Sequence, residues 1–314
     1  MKYRLSGAWG VSLIALALVV GAVWAPPTGA EERVAAAPKA FATPEALAEA
    51  LVEAASNNDD AAIKALVGAA EASLVQPGGD PSVAQERAKF AEKATEFWKL
   101  RDNEDGSKTL VIGNNRWPFP VPFRKTSAGW GLDVASGKKE MLARRIGRNE
   151  LNAIKLCRTY IDAQVEYAKK DRDGDRVREY AQKIKSSPGK KDGLYWPTGD
   201  DGDVSPLGPL VESAQEFMKT RKSTDPVGGY YWKILTGQGR CAPGGAHPYI
   251  INGNMIAGCA LIGFPAEYGQ TGIMTFIVSH HGRLLERDMG PGTANYVNAV
   301  QLFSPDPSWQ IVKD

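Results

Sequence analysis

The chain has 314 residues, 43% of them apolar, with 33 Gly and 20 Pro, and 38 Lys+Arg stand against 36 Asp+Glu. This composition excludes a disordered polar chain, which has too little apolar surface to bury, and it lacks the clear positive excess of a nucleic-acid binder. Such a length exceeds what one hydrophobic core usually serves, so two domains are expected.

Residues 1–30 read as a signal peptide. Lys2 and Arg4 form a positive start, Val11 to Ala25 an apolar stretch, and Thr28-Gly29-Ala30 a small-residue cleavage site before Glu31. The competing reading is an uncleaved anchor, because Ala8 to Ala25 is nearly long enough to span a bilayer. Pro26-Pro27 and the small-residue site favour cleavage after Ala30, leaving no stable membrane span. Cleavage removes Lys2 and Arg4 and no acid, so 36 basic residues then face 36 acidic ones. This reading predicts a periplasmic or extracellular protein.

Residues 31–40 form an Ala-rich linker, and residues 41–136 a small α+β domain. Thr43-Pro44-Glu45 supplies a cap, a first-turn proline and an acid for a helix Pro44–Ala55, with Leu47, Leu51 and Val52 inward. Asp59 or Asp60 caps a short helix through Leu66, and Ser82 starts another that runs to Leu100. Asp105-Gly106 reads as a hairpin turn into a strand Thr109–Ile112. In WPFPVPF, Trp117 to Phe123, prolines alternate with large apolar residues, so Trp117, Phe119, Val121 and Phe123 share one face of an extended strap. The short strand Trp130-Gly131-Leu132 closes a unit of the nuclear-transport-factor or cystatin-like kind.

Residues 137–314 form the second expected domain, a long helix packed on an antiparallel meander. Asn152, Lys155, Thr159, Asp162, Glu166 and Lys169 make one solvated stripe. Two apolar rows flank it: Leu151, Ile154, Ile161, Val165 and Ala168, then Ala153, Cys157, Tyr160 and Tyr167. Val177–Lys185 and Leu207–Lys219 are expected helices, the latter capped at Ser205-Pro206. Gly229–Thr236, Tyr249–Ile251, Met255–Phe264, Ile273–Val278 and Arg283–Glu286 read as strands.

Asp171, Asp173 and Asp175 occupy positions 1, 3 and 5 of a calcium loop, and Glu179 could complete the set. The pattern departs where Arg176 stands in place of glycine and Gln182 in place of the closing glutamate. Calcium is thus the one cofactor suggested, against a plain solvated turn. Asp200, Asp201 and Asp203 form a second acidic cluster. Cys241 and Cys259 are the plausible disulfide, worth about 3 kcal/mol if formed; three free thiols are the alternative. His280 and His281 should point apart at a hairpin tip, so zinc bound with His247 and a cysteine matches no known spacing. There is no Gly-x-Ser-x-Gly elbow, and Gly131 to Lys138 lacks the second glycine of a phosphate loop. The run Lys138, Lys139, Arg144, Arg145, Arg148 could grip an anionic polymer or simply pair with neighbours.

RRIGRNEL (Arg144–Leu151), YIDAQVEYA (Tyr160–Ala168), DGLYWP (Asp192–Pro197), SPLGPL (Ser205–Leu210), APGGA (Ala242–Ala246) and PAEYGQTGIMTFIV (Pro265–Val278) together resemble the bacterial domain of unknown function 2950. The resemblance covers nearly the whole chain after the leader. It implies an exported envelope protein and carries no established activity, so no catalytic residue is transferred. The region from about residue 140 also resembles the globular part of type IV pilins and pseudopilins. That likeness implies a helix laid on an antiparallel sheet, although the pilin methylation site is absent. The favoured expectation is a non-catalytic structural or interaction protein meeting an envelope protein or polymer. The alternatives are a carboxylate-dependent hydrolase acting on wall or polysaccharide, and a calcium-stabilised pilin-like module.

Overall fold

The computed structural model describes residues 37–197, 202–208 and 225–313, the side chain of Asn298 excepted. The expected signal peptide, Asp200, Asp201 and nearly all of the expected helix Leu207–Lys219 lie outside these residues. No helix among the described residues is long and apolar enough to cross a membrane. The fold class is α+β, and the chain divides into two compact units between Met141 and Leu142.

In the first unit, Thr43 caps α1 (Pro44–Ser56) by accepting from the Ala46 amide at 3.2 Å. Asp59 caps α2 (Asp60–Val67) through the Ala61 and Ala62 amides. A 3₁₀ turn, Ala69–Leu74, follows. Helix α3 (Pro81–Glu96) is capped by Asp80, not Ser82; the serine sits inside the first turn, where its amide and hydroxyl both donate to Asp80. The helix also stops short of the expected Leu100, because the next residues belong to a hairpin. Strand β1 (Trp98–Asp102) pairs with β2 (Lys108–Ile112) from Trp98↔Ile112 to Asp102↔Lys108 around the Asp105-Gly106 turn. A full ladder and its cross-strand contacts outweigh one more helical turn.

The strands β3 (Trp117–Pro118), β4 (Phe123–Thr126) and β5 (Gly129–Leu132) complete a sheet of order β1-β2-β4-β5, with β3 also on β2. Phe119, Val121 and Phe123 are buried as the alternation with proline requires, and Trp117 is half-buried. The Phe119 amide donates to Leu110 at 2.7 Å, and the Phe90 and Phe119 rings lie 5.5 Å apart. Leu47, Leu51, Ile63, Phe90, Leu110 and Phe123 form the centre of this core.

Helix α4 (Val134–Tyr167) is unbroken. From Leu142 onward it belongs to the second unit, where Ala153, Cys157, Tyr160, Ala163 and Tyr167 are buried against the sheet. The other expected apolar row, from Leu151 to Ala168, is only partly covered. Ile154 and Ile161 are half-buried, whereas Leu151 is 68% and Val165 52% exposed. A sheet face contacts one side of a helix, so residues beyond that arc stay wet unless another element is added.

The main sheet runs β15 (Gln310–Ile311), β13 (Leu284–Asp288), β12 (Met274–Ser279), β11 (Ala260–Pro265), β6 (Tyr230–Leu235), all antiparallel. Smaller pieces flank it: β7 (Gly237–Gln238) with β8 (His247–Pro248) and β14 (Leu302–Phe303), the hairpin β9 (Ile250–Ile251) and β10 (Asn254–Met255), and α5 (Thr293–Ala299). The strand expected over Met255–Phe264 is interrupted at Gly258, whose φ of +142° and contact with the Tyr249 and His280 rings admit no side chain. Nor is Val177–Lys185 helical. Its backbone is strapped to other segments, with Tyr180 donating to Met255 and Leu194 to Lys183.

Trp232 lies across Gly263 on the neighbouring strand, so an added Cβ would come within 2.3 Å of the indole. Gly263→Ala should therefore displace Trp232 and lower stability by about 1–3 kcal/mol, the usual cost of overpacking. Urea unfolding followed by tryptophan fluorescence measures this; an unchanged midpoint would show that the ring moves freely.

Candidate functional site

The acidic turn after α4 is built from its own carboxylates. Asp171 accepts from the Gly174 amide at 2.7 Å and the Arg176 amide at 2.9 Å. Asp175 accepts from the Val177 amide at 2.7 Å, and its second oxygen takes Asn254 Nδ2 at 2.6 Å. The Gly174 and Arg176 amides hold the Asp171 carboxyl below the ordinary value. One oxygen from each of Asp171, Asp173 and Asp175 lies within 4.8 Å of the others, all three residues exposed. Three anions at one point repel, and a hard divalent cation with an oxygen shell relieves that repulsion.

Arg176 stands at the position where a calcium loop uses glycine for its sharp bend. It nonetheless adopts φ +70°, the left-handed conformation that glycine would supply. The loop thus makes the bend at a cost in backbone strain. Glu179 goes elsewhere: its Oε2 accepts from the Met255 amide at 2.8 Å and from Gln182 at 3.5 Å. The structure therefore brings together Asp171, Asp173 and Asp175, while Glu179 and Asp175 fasten the segment to β10.

Asp203, from the second acidic cluster, already has cations around it. Lys191 lies at 2.9 Å, with Lys170 and Arg172 at 3.5 Å. Its charge is compensated by the protein.

Cys157, Cys241 and Cys259 are free thiols. Cys259 is buried and Cys241 exposed, so the pair expected from sequence is unbonded here. Burial pushes the Cys259 thiol up to about 12 and raises Cys157 as well. Both behave as inert core fillers. The histidine rings do not point apart: His280 and His281 lie 4.0 Å between centroids, because they follow the end of β12 and the strand alternation no longer applies. Tyr249 packs edge-on at 5.7 Å from His247 and 5.6 Å from His280.

The RRIGRNEL stretch is occupied within the second unit. Arg145 donates to Gln270 at 3.2 Å and Asn149 Nδ2 to the Thr271 carbonyl at 2.8 Å. Glu150 Oε1 accepts from the Ile273 and Met274 amides at 2.9 and 3.0 Å, anchoring the start of β12. Sequence reasoning missed Glu150, since nothing in its local spacing distinguishes it from a surface glutamate. Burial, and then the nearby Glu150, raise the Glu286 carboxyl above the ordinary value.

Two stretches far apart in the chain, Arg144–Leu151 and Pro265–Val278, thus form one hydrogen-bonded joint. A family model described as a protein of unknown function, DUF2950, matches residues 38–312 and so takes in both. The chain belongs to the DUF2950 family. No curated protein and no solved structure matches it. Within this DUF2950 chain the acidic turn and the Glu150 joint both lie inside the matched region.

Proposed function

We propose that the protein is an exported, non-catalytic structural or interaction module of the bacterial cell envelope, with calcium bracing its second unit at Asp171, Asp173 and Asp175. The observation that carries the calcium reading is the convergence of the three carboxylates in a loop whose sixth position takes the left-handed bend. Export is supported by the pattern of residues 1–30, and mature protein isolated from the envelope should begin at Glu31. A long helix leading into an antiparallel sheet supports the pilin-like reading of the second unit, and its partner is then an envelope protein or polymer.

A bound cation would fix the turn between the end of α4 and the hairpin β9–β10, because Asp175 is already held by Asn254. Millimolar calcium should raise the melting temperature of the second unit by several degrees, as mass action predicts for a weak site. Asp173→Asn should abolish the rise, whereas magnesium should reproduce little of it. An equal melting temperature with and without calcium rejects the site.

The hydrolase alternative needs two converging acids. Apart from the acidic turn, the fold brings Glu150 near Glu286, yet Glu150 is committed to two backbone amides. Its position is better explained as an anchor for β12.

A further inference from the structure

In the second unit a cleft of about 500 Å³ opens beside the end of β12. That is within the range of small-molecule sites, roughly 300–1,000 Å³. Its walls include Phe303 and Trp309, and its polar groups include Cys241, Ser279, His281 and Arg283. Ser279 is only 1% exposed, and its hydroxyl has no hydrogen-bond partner among the described residues. A buried hydroxyl is rarely left unpaired, since the loss of water is then uncompensated.

Charge decides what would pair with it. Asp306, the acid in the cleft wall, is already engaged: it accepts from the Ser308 amide at 2.9 Å and hydroxyl, and Arg287 lies at 3.6 Å. The Ser308 contacts, then Arg287, hold its carboxyl below the ordinary value. Arg283 is exposed and has no carboxylate partner among the described residues. The cleft therefore presents a guanidinium and a hydroxyl, both unpaired among the described residues, next to an aromatic wall.

We propose that this cleft binds an aryl carboxylate, with the carboxylate on Arg283 and the Ser279 hydroxyl and the ring against Trp309 and Phe303. A guanidinium fork matches a carboxylate bidentately, and a planar ring suits an aromatic wall. The source is either a free aromatic acid or the C-terminal aromatic residue of a peptide. This inference does not rest on the calcium reading, which concerns other residues.

Cys241 supplies the readout, because it is the exposed thiol of the three and lines the cleft. Iodoacetamide labelling of the purified protein, mapped by mass spectrometry, would be run with indole-3-propionate, N-acetyl-L-tryptophan or the neutral N-acetyl-L-tryptophan amide. Both acids should protect Cys241 if free aryl acids are accepted, and N-acetyl-L-tryptophan alone if a chain terminus is required; the amide should not protect. Arg283→Gln should weaken protection about tenfold or more. Ser279→Ala should weaken it about fivefold while leaving the melting temperature unchanged or higher, because it deletes an unpaired buried hydroxyl. Protection by the amide equal to that by the acids, no protection at millimolar acid, or wild-type protection in Arg283→Gln would overturn the proposal. Full affinity in Ser279→Ala would likewise overturn it.

Discussion

Replacing Arg87 by alanine should destabilise the first unit by about 2–4 kcal/mol, from the hydrogen bonds of a buried guanidinium and the cavity it leaves, since Asp60 itself stays open to water. Arg87 is 2% exposed. Its Nη1 donates to Asp60 at 2.6 Å and Asn58 at 2.7 Å, and its Nη2 to the Gln76 carbonyl at 2.7 Å. One side chain of α3 thus holds the α1–α2 connection and the turn that leads into its own helix. Alanine would take this donor from Asn58 and the Gln76 carbonyl and open a cavity, while Asp60 keeps the Gly78 amide. Gly78 belongs to the same joint: a Cβ there would lie 2.3 Å from Asn58 Oδ1 and 2.6 Å from Arg87 Nη1.

The effect should also depend on pH. The Arg87 hydrogen bond, then the Gly78 amide, hold the Asp60 carboxyl below its ordinary 3.8. A carboxyl depressed in the folded state contributes stability above its unfolded value, and that contribution is lost as pH falls through the folded one. The difference between wild type and Arg87→Ala should therefore be largest near neutrality and shrink below about pH 4. Urea unfolding at several pH values tests both points. A loss under about 1 kcal/mol at neutral pH would show that water replaces the guanidinium without penalty.

Gln164→Leu should cost the second unit about 2–4 kcal/mol, because it strands two buried backbone groups. Gln164 is 0% exposed. Its Oε1 accepts from the Ala181 amide at 2.8 Å, while its Nε2 donates to the Ala181 carbonyl and to Tyr160 Oη, both at 2.9 Å. An amide side chain here does what a neighbouring strand would do, satisfying both polar groups of one residue. Leucine keeps the volume and removes all three bonds. Native-state hydrogen exchange at Ala181 should rise together with the loss in stability. Because the acidic turn lies between Tyr167 and Ala181, the same variant should also weaken any calcium response. Unaltered exchange at Ala181 would mean that another group takes over the pairing.

Much of the fold was legible in the chain because its determinants are local. Thr43 and Asp59 announce their helices within three residues, and Asp105-Gly106 joins two strands that pair directly. WPFPVPF declares its buried face by alternation alone. The hairpin across His280 and Gly282 follows from the same short-range logic, as does the spacing of Asp171, Asp173 and Asp175.

Tertiary structure decided what depends on partners distant in the chain. Residues 177–185 carry a helical pattern but are held in a non-helical path by Gln164, Met255 and Leu194. Glu179 faces the β10 amide, and Glu150 finds its donors 123 and 124 residues further on. Leu151 and Val165 continue an apolar row that the sheet does not reach. By itself the sequence determined where elements begin, which faces are apolar and that three carboxylates fall close together. The folded chain alone decided which polar groups those carboxylates and amides meet, because a buried donor is satisfied by whatever packing brings to it.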